Sequence, residues 1–401
     1  MKTNFHPKEI ELWIIGISVA AAILVPSPAS AESHLVGGFH LPIPPVHPKP
    51  PVTVTNVPGY EQINLVGDVA STNGSPKFAD TNLVNPWGLF VWAGTEVVAD
   101  NGQGVATFYR AGGKPAALVV TIPTPAGSTN PAAPSGVAVN TSTNFVLTQN
   151  HKSGRSEFIF VTEEGTISGW NQEVNASNAL MMVDNSTNNA IYKGAAFAWT
   201  TNGPALYVSN FKSGKVEMYG GDFKLIKSFT DTNIASGYAP FGVHNIDGHI
   251  FVTYAKRKAP DNHDDEAGPG NGYVDIFDRE GNLERQLAAR GALNSPWAVA
   301  EAPEHFGKYH DAILVGNFGD GHINAYDPLT GDLLGQLNDT HGNVIQIEGL
   351  WALSFPSFDG ERSNSLYFTA GPGDESHGLL GILQPSNDRH NDDDHDGDDN
   401  N

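Results

Sequence analysis

The sequence predicts an all-β fold, a six-bladed β-propeller built from four-stranded antiparallel blades. Three observations carry that prediction. A signature recurs six times at the start of a short apolar strand: Asn85-Pro86-Trp87-Gly88-Leu89, Ala133-Pro134-Ser135-Gly136-Val137, Tyr192-Lys193-Gly194-Ala195, Ala239-Pro240-Phe241-Gly242-Val243, Ser295-Pro296-Trp297-Ala298-Val299 and Gly349-Leu350-Trp351-Ala352-Leu353. Its Gly or Ala falls at 88, 136, 194, 242, 298 and 352, at intervals of 48, 58, 48, 56 and 54 residues, which suits one propeller blade per repeat. The remainder of each repeat reads as short strands and tight turns, with 44 Gly and 27 Pro in 401 residues and no run of helical periodicity.

From the N-terminus, residues 1–31 read as a secretory signal. Lys2 and Lys8 precede an apolar run around Trp13–Val25, and Ala29-Ser30-Ala31 is a small-x-small cleavage site. The run falls short of the ~20 residues a spanning helix needs. No stable membrane span is therefore expected after signal removal, and the protein is expected to be secreted or periplasmic. Residues 32–58 carry Pro42, Pro44, Pro45, Pro48, Pro50 and Pro51 between His40 and His47 and their neighbours, and read as a semi-extended linker.

The propeller is expected over residues 59–384. In the first blade Leu89–Trp92 and Glu96–Ala99 are the first two strands, and the turn Asp100-Asn101-Gly102-Gln103-Gly104 leads into Val105–Tyr109. The same phrase returns as Leu206–Ser209, Asn210-Phe211-Lys212-Ser213-Gly214, Lys215–Tyr219, and again as Ile313–Gly316, Asn317-Phe318-Gly319-Asp320-Gly321, His322–Tyr326. Alternation in Val105–Tyr109 and His322–Tyr326 reads as strands with one exposed face. Blade two holds an inserted segment around Phe145–Ser156. Asp278-Arg279-Glu280-Gly281-Asn282 and Asp327-Pro328-Leu329-Thr330-Gly331 read as turns into a fourth strand. Blade six ends near Leu383 with three strands, whereas Tyr60–Val66 is an apolar strand without a blade. Supplied as the outer strand of the last blade, it would close the ring and cover two sheet edges. Residues 385–401 read as a disordered acidic tail, since Asn387–Asn401 holds seven Asp and two His and nothing that could build a core.

Charge and composition exclude several functions. A formal net charge of −22 argues against a nucleic-acid partner, because a phosphate backbone demands a basic face. With no cysteine, neither disulfides nor thiolate metal sites are available. There is no Gly-x-Ser-x-Gly and no phosphate loop, and Gly-Pro-Gly-Asn-Gly at 268–272 precedes no helix. A monomer is expected, with a small molecule, a glycan or another protein as partner.

Antiparallel strands put the start of strand one and the end of strand two at the same end of a blade. The signature residues and the second turns therefore share one face around the channel. Trp87, Phe241, Trp297 and Trp351 ring its mouth, either as core or as a stacking platform for a sugar, an aromatic or a polymer chain. Lys193 is the one cation at that level, placed to attract an anion or to lie against a ring. The second turns add Asp100, Asn101, Glu163, Glu164, Asn210, Lys212, Asn317 and Asp320. The longest of these turns, Lys256–Gly272, contains His263-Asp264-Asp265-Glu266, oxygen donors plus an imidazole. In blade six Asp374-Glu375-Ser376-His377 has the same character. If the two loops meet, they could share Ca²⁺ or another divalent cation. His244 lies along an inner strand and reads either as a core histidine or as a channel residue.

Several phrases resemble a secreted bacterial family associated with PEP-CTERM proteins, which is similar in turn to NHL-type six-bladed propellers. They include Asn-Pro-Trp-Gly-Leu (85–89), Gly-Thr-Ile-Ser-Gly-Trp (165–170), Gly-Tyr-Ala-Pro-Phe (237–241), Leu-Asn-Ser-Pro-Trp (293–297), Gly-Asn-Phe-Gly-Asp-Gly (316–321) and Phe-Thr-Ala-Gly-Pro (368–372). The resemblance covers about residues 60–383 and implies the fold and export, but no activity. The chain ends in an acidic tail where that family carries its sorting signal. Gluconolactonase-like propellers offer a second comparison. They hold Ca²⁺ over the channel with Glu, Asn and Asp, several of them at the signature position, which here is aromatic, Ser or Lys. Two readings remain open: a propeller that binds a ligand or partner at this aromatic, acidic-rimmed face, and a metal-dependent hydrolase or lyase.

Overall fold

The computed structural model describes residues 59–70, 75–92, 94–110, 112–356 and 364–386. The expected signal (1–31), the linker (32–58) and residues 387–401 of the expected tail lie outside the described residues. Among the described residues, no helix is long and apolar enough to cross a membrane.

Six four-stranded antiparallel sheets form the propeller, each running from an inner strand at the channel to an outer strand at the rim. Blade one is Pro86–Trp92, Thr95–Asp100, Val105–Arg110 and Lys114–Thr121. Blade two is Pro134–Val139, Phe158–Thr162, Thr166–Trp170 and Leu180–Asp184. The inserted segment of blade two forms a small hairpin of its own, Val146–Gln149 with Lys152–Arg155. Blade three is Tyr192–Thr200, Gly203–Asn210, Lys215–Gly220 and Leu225–Phe229. Blade four is Tyr238–Ile246, His249–Lys256, Gly272–Phe277 and Leu283–Ala289. Blade five is Pro296–Glu301, Ile313–Asn317, Ile323–Tyr326 and Leu333–Gln336.

Blade six takes Leu350–Ser354, Leu366–Ala370 and Leu379–Pro385 from the end of the chain and Tyr60–Gly67 from its beginning. The pairing is antiparallel and runs from Tyr60 opposite Pro385 to Gly67 opposite Leu379. This is the ring closure the sequence predicts. The two-residue strand Phe78–Ala79 then pairs in parallel with Tyr60–Gly67 on the outside.

One expectation is corrected. Ile323–Tyr326 is buried along its whole length, and Val105–Arg110 is buried over Ala106–Tyr109. Each blade is sandwiched between two neighbours, so strands two and three have no exposed face; Asn324 compensates by donating to the Ala292 carbonyl. Outer strands such as Leu333–Gln336 carry exposed residues along their length.

The signature glycines have a steric cause. A Cβ on Gly136 would lie 2.7 Å from the Ala195 amide nitrogen, and one on Gly242 only 2.0 Å from the Trp297 carbonyl oxygen. Inner strands of adjacent blades thus meet backbone to backbone at this level. Hydroxyls reinforce the contact. Ser135 Oγ donates to the Tyr192 carbonyl (2.6 Å), Ser209 Oγ to Phe241 (2.6 Å) and Thr369 Oγ1 to Trp87 (2.8 Å), linking blade two to three, three to four and six to one.

Candidate functional site

The six signature side chains lie at one level of the channel and close it. Trp351 stacks on Trp87 (ring centroids 3.6 Å apart) and on Phe318 (3.9 Å), and meets Phe241 and Trp297 edge-on at 6.0 Å. Trp87, Phe241, Trp297 and Trp351 are each no more than 4% exposed. The arrangement is a packed plug rather than an open stacking platform. Rings of this size bury ~150–250 Å² each and gain further from edge-to-face contacts, which is why four of them converge on the axis. Two indole N–H groups find acceptors there: Trp297 donates to the Lys193 carbonyl (2.8 Å) and Trp351 to Asn85 Oδ1 (2.9 Å).

Lys193 is 2% exposed. Its ammonium lies over the rings of Trp87 (5.0 Å) and Phe211 (5.9 Å), bonds the Glu163 carboxylate, and sits 3.6 Å from Asp264 Oδ1. Burial alone would depress its pKa, but Glu163, Asp264 and Asp265 outweigh that and hold it above the ordinary lysine range. It is therefore a fixed cation and not a nucleophile.

A chain of polar contacts crosses the plug from blade six to blade four. Asn85 Nδ2 donates to Glu375 Oε2 (2.6 Å) and to Asn101 Oδ1 (3.3 Å), and Asn101 Nδ2 donates to Glu163 Oε2 (3.0 Å). Glu163 meets Lys193, Lys193 meets Asp264, and Asp264 Oδ1 lies 2.8 Å from His263 Nδ1. The hydrogen bond to Asp264 raises the His263 pKa, and the same bond, with Lys193, lowers Asp264 to about 2. Burial pushes Asp265 and Glu375 up. Glu163, His263 and Asp264 each offer one donor atom, and the three atoms lie within 4.8 Å of one another.

The sequence-predicted residues divide into two groups. Asn101, Lys193, His263, Asp264, Asp265 and Glu375 converge above the plug. Asp100, Asn210 and Asn317 instead turn into their own blades. Asp100 accepts from Thr107 (2.8 Å), Asn210 donates to Glu217 (2.7 Å), and Asn317 donates to the Ala292 carbonyl (2.8 Å). Burial raises the Asp100 carboxyl well above its ordinary value.

The residues expected to share a metal between the 263–266 and 374–377 loops do not all come together. Glu266 pairs with Lys256 (2.7 Å), His377 pairs with Asp68 (2.8 Å), and Asp374 is exposed at a loop tip. Glu163 from blade two joins His263 and Asp264 in their place. Asn85, Phe211 and Phe318 were not predicted as site residues. Their signals were present, since Asn85 opens the first signature and an Asn-Phe pair recurs at 210–211 and 317–318.

No family model matches the chain. It is similar to an uncharacterized protein of Acanthamoeba polyphaga mimivirus, 28% identical over 323 residues, covering 79% of this chain and 78% of that protein. A second uncharacterized mimivirus protein is 26% identical over 324 residues, covering 79% and 84%. Among solved structures, virginiamycin B lyase from Staphylococcus aureus covers 81% of this chain and 98% of its own, with TM-score 0.46 and 11% identity. The Neurospora crassa Pan2 WD40 domain covers 83% and 98%, with TM-score 0.45 and 11% identity. The propeller assignment rests on the strand order itself.

Proposed function

We propose that this protein is an exported ligand-binding β-propeller whose acidic axial cap captures a cation. The observation that carries this reading is the convergence of Glu163, His263 and Asp264 to within 4.8 Å. Four carboxyl groups, Glu163, Asp264, Asp265 and Glu375, surround one buried ammonium, so the cap carries excess negative charge and repels anions. An imidazole with two carboxylates suits a borderline divalent ion such as Zn²⁺ better than Ca²⁺, which takes ~6–8 oxygen ligands. The Lys193 ammonium lies on two of these three groups, so an incoming ion would compete with it. The same donors support a second reading, a metal-dependent hydrolase or lyase, separable by assaying the metal-loaded protein on lactones.

The test uses full-length protein purified without a His tag, stripped with EDTA and titrated with Zn²⁺, Mn²⁺ and Ca²⁺ by calorimetry and thermal shift. One ion should bind per chain, with about 2.7 kcal/mol of stabilisation at a hundredfold excess over Kd. Glu163→Gln and His263→Ala should each abolish that binding. Substoichiometric binding of all three ions, or binding untouched by both variants, would overturn the reading.

A further inference from the structure

Below the plug the inner strands leave a funnel of about 590 Å³, within the range of small-molecule sites, opening on the face opposite the cap. All six blades line it with the second halves of their inner strands. Three features of its wall point to one class of ligand.

The first is backbone polarity. Every inner strand is the terminal strand of its sheet, so one edge of each lacks ladder partners and faces the channel. An apolar ligand would strip water from those amides and carbonyls without replacing the hydrogen bonds, whereas a ligand bearing many hydroxyls can replace them.

The second is His244, at the funnel floor. Its Nε2 lies 2.8 Å from the Trp297 carbonyl, which can only accept, so the proton sits on Nε2 and Nδ1 presents a lone pair. Among the described residues Nδ1 has no hydrogen-bond partner. Burial lowers the His244 pKa to about 4, so the ring stays neutral. The third is charge and shape at the mouth. Among the described residues no Lys or Arg lines the funnel, and Asp247 stands at its mouth, which disfavours anions. Trp199, also at the mouth, is 49% exposed, yet its ring is held edge-on against Phe197 (6.2 Å) and by Nε1 donating to Thr141 Oγ1 (3.3 Å). A fixed, half-exposed indole beside a polar cavity walled largely by backbone offers a face for a sugar ring.

We propose that this funnel binds a neutral saccharide, one ring against Trp199 and its hydroxyls directed at the free strand edges and His244 Nδ1. The proposal does not depend on the cap. The full chain is titrated with maltose, cellobiose and N,N′-diacetylchitobiose by calorimetry and saturation-transfer NMR, with and without EDTA. At least one should bind with one-to-one stoichiometry, unaffected by EDTA. Trp199→Ala, at a half-exposed position, should weaken that binding about tenfold or more, and Trp199→Phe should restore most of it. Binding of none of the three, a smaller loss in Trp199→Ala, or loss of binding in EDTA would overturn the proposal.

Discussion

The two halves of one channel are built from the same six strands and differ in nearly every physical respect. The upper half is filled by side chains, Trp87, Phe241, Trp297 and Trp351, and capped by charge around Lys193. The lower half is open, walled by backbone and small residues such as Ala195, Ala196, Ala198, Ala300 and Ala352. Inner strands meet backbone to backbone at the signature level and separate beyond it. The residue before each contact therefore decides whether the axis is plugged, and those after it decide how much space remains. One repeat can thus supply two unrelated surfaces, because different residues of the same strand set each of them.

The plug is the most direct place to break this division. Trp351→Ala should cost about 4 kcal/mol in urea unfolding, the scale of deleting a large buried aromatic, since Trp351 is 1% exposed and touches four other rings. A cost under about 1 kcal/mol would mean that the plug does not hold the ring together.

Acid response sharpens the comparison at a smaller scale. Burial raises Glu96 and Asp275 to about 7, and both lie within blades, away from the cap. Carboxyls in an unfolded chain titrate near ~4, so between about pH 4 and 7 the folded state binds more protons and stability falls as pH rises. The combined variant Glu96→Gln, Asp275→Asn should flatten the decline in Tm between pH 5 and 8, leaving the residual slope to the other raised carboxyls, Asp100, Glu157, Asp265 and Glu375. An unchanged slope would remove these two groups from the account.

The smallest effect concerns the contacts that hold adjacent blades in register. Thr369 Oγ1 donates to the Trp87 carbonyl and accepts from the Ala352 amide (3.1 Å). Thr369→Val should cost about 1 kcal/mol in the same unfolding experiment. A neutral result would show that this hydroxyl does not fix the spacing of blades six and one.

The fold was legible because every blade repeats the same compromise, and even the ring closure followed from counting strands against blades. The plug was legible for the same reason: Trp87, Lys193, Phe241, Trp297 and Trp351 share one phase of the repeat. The cap was only half legible. His263, Asp264 and Glu375 sit in loops whose aim depends on local turns, such as the left-handed backbone at Glu375 (φ 65°). Glu163 joins them from 100 residues earlier in the chain through its bond to Lys193. His377 went elsewhere because ring closure carries Asp68, at the end of the first strand, to its side. The funnel left little trace in the sequence, since backbone edges line much of it and their unpaired groups carry no residue identity.

The borrowed strand Tyr60–Gly67 has a consequence for how the protein is made. Its partner, Leu379–Pro385, is among the last parts of the propeller to be synthesised, so the first strand emerges apolar and unpaired and remains so while five blades form. Contacts this distant in sequence are slow to form, and unpaired strand edges favour aggregation. Completion of the ring is thus a late step in folding: a chain truncated before Leu379 leaves Tyr60–Gly67 without its ladder partner.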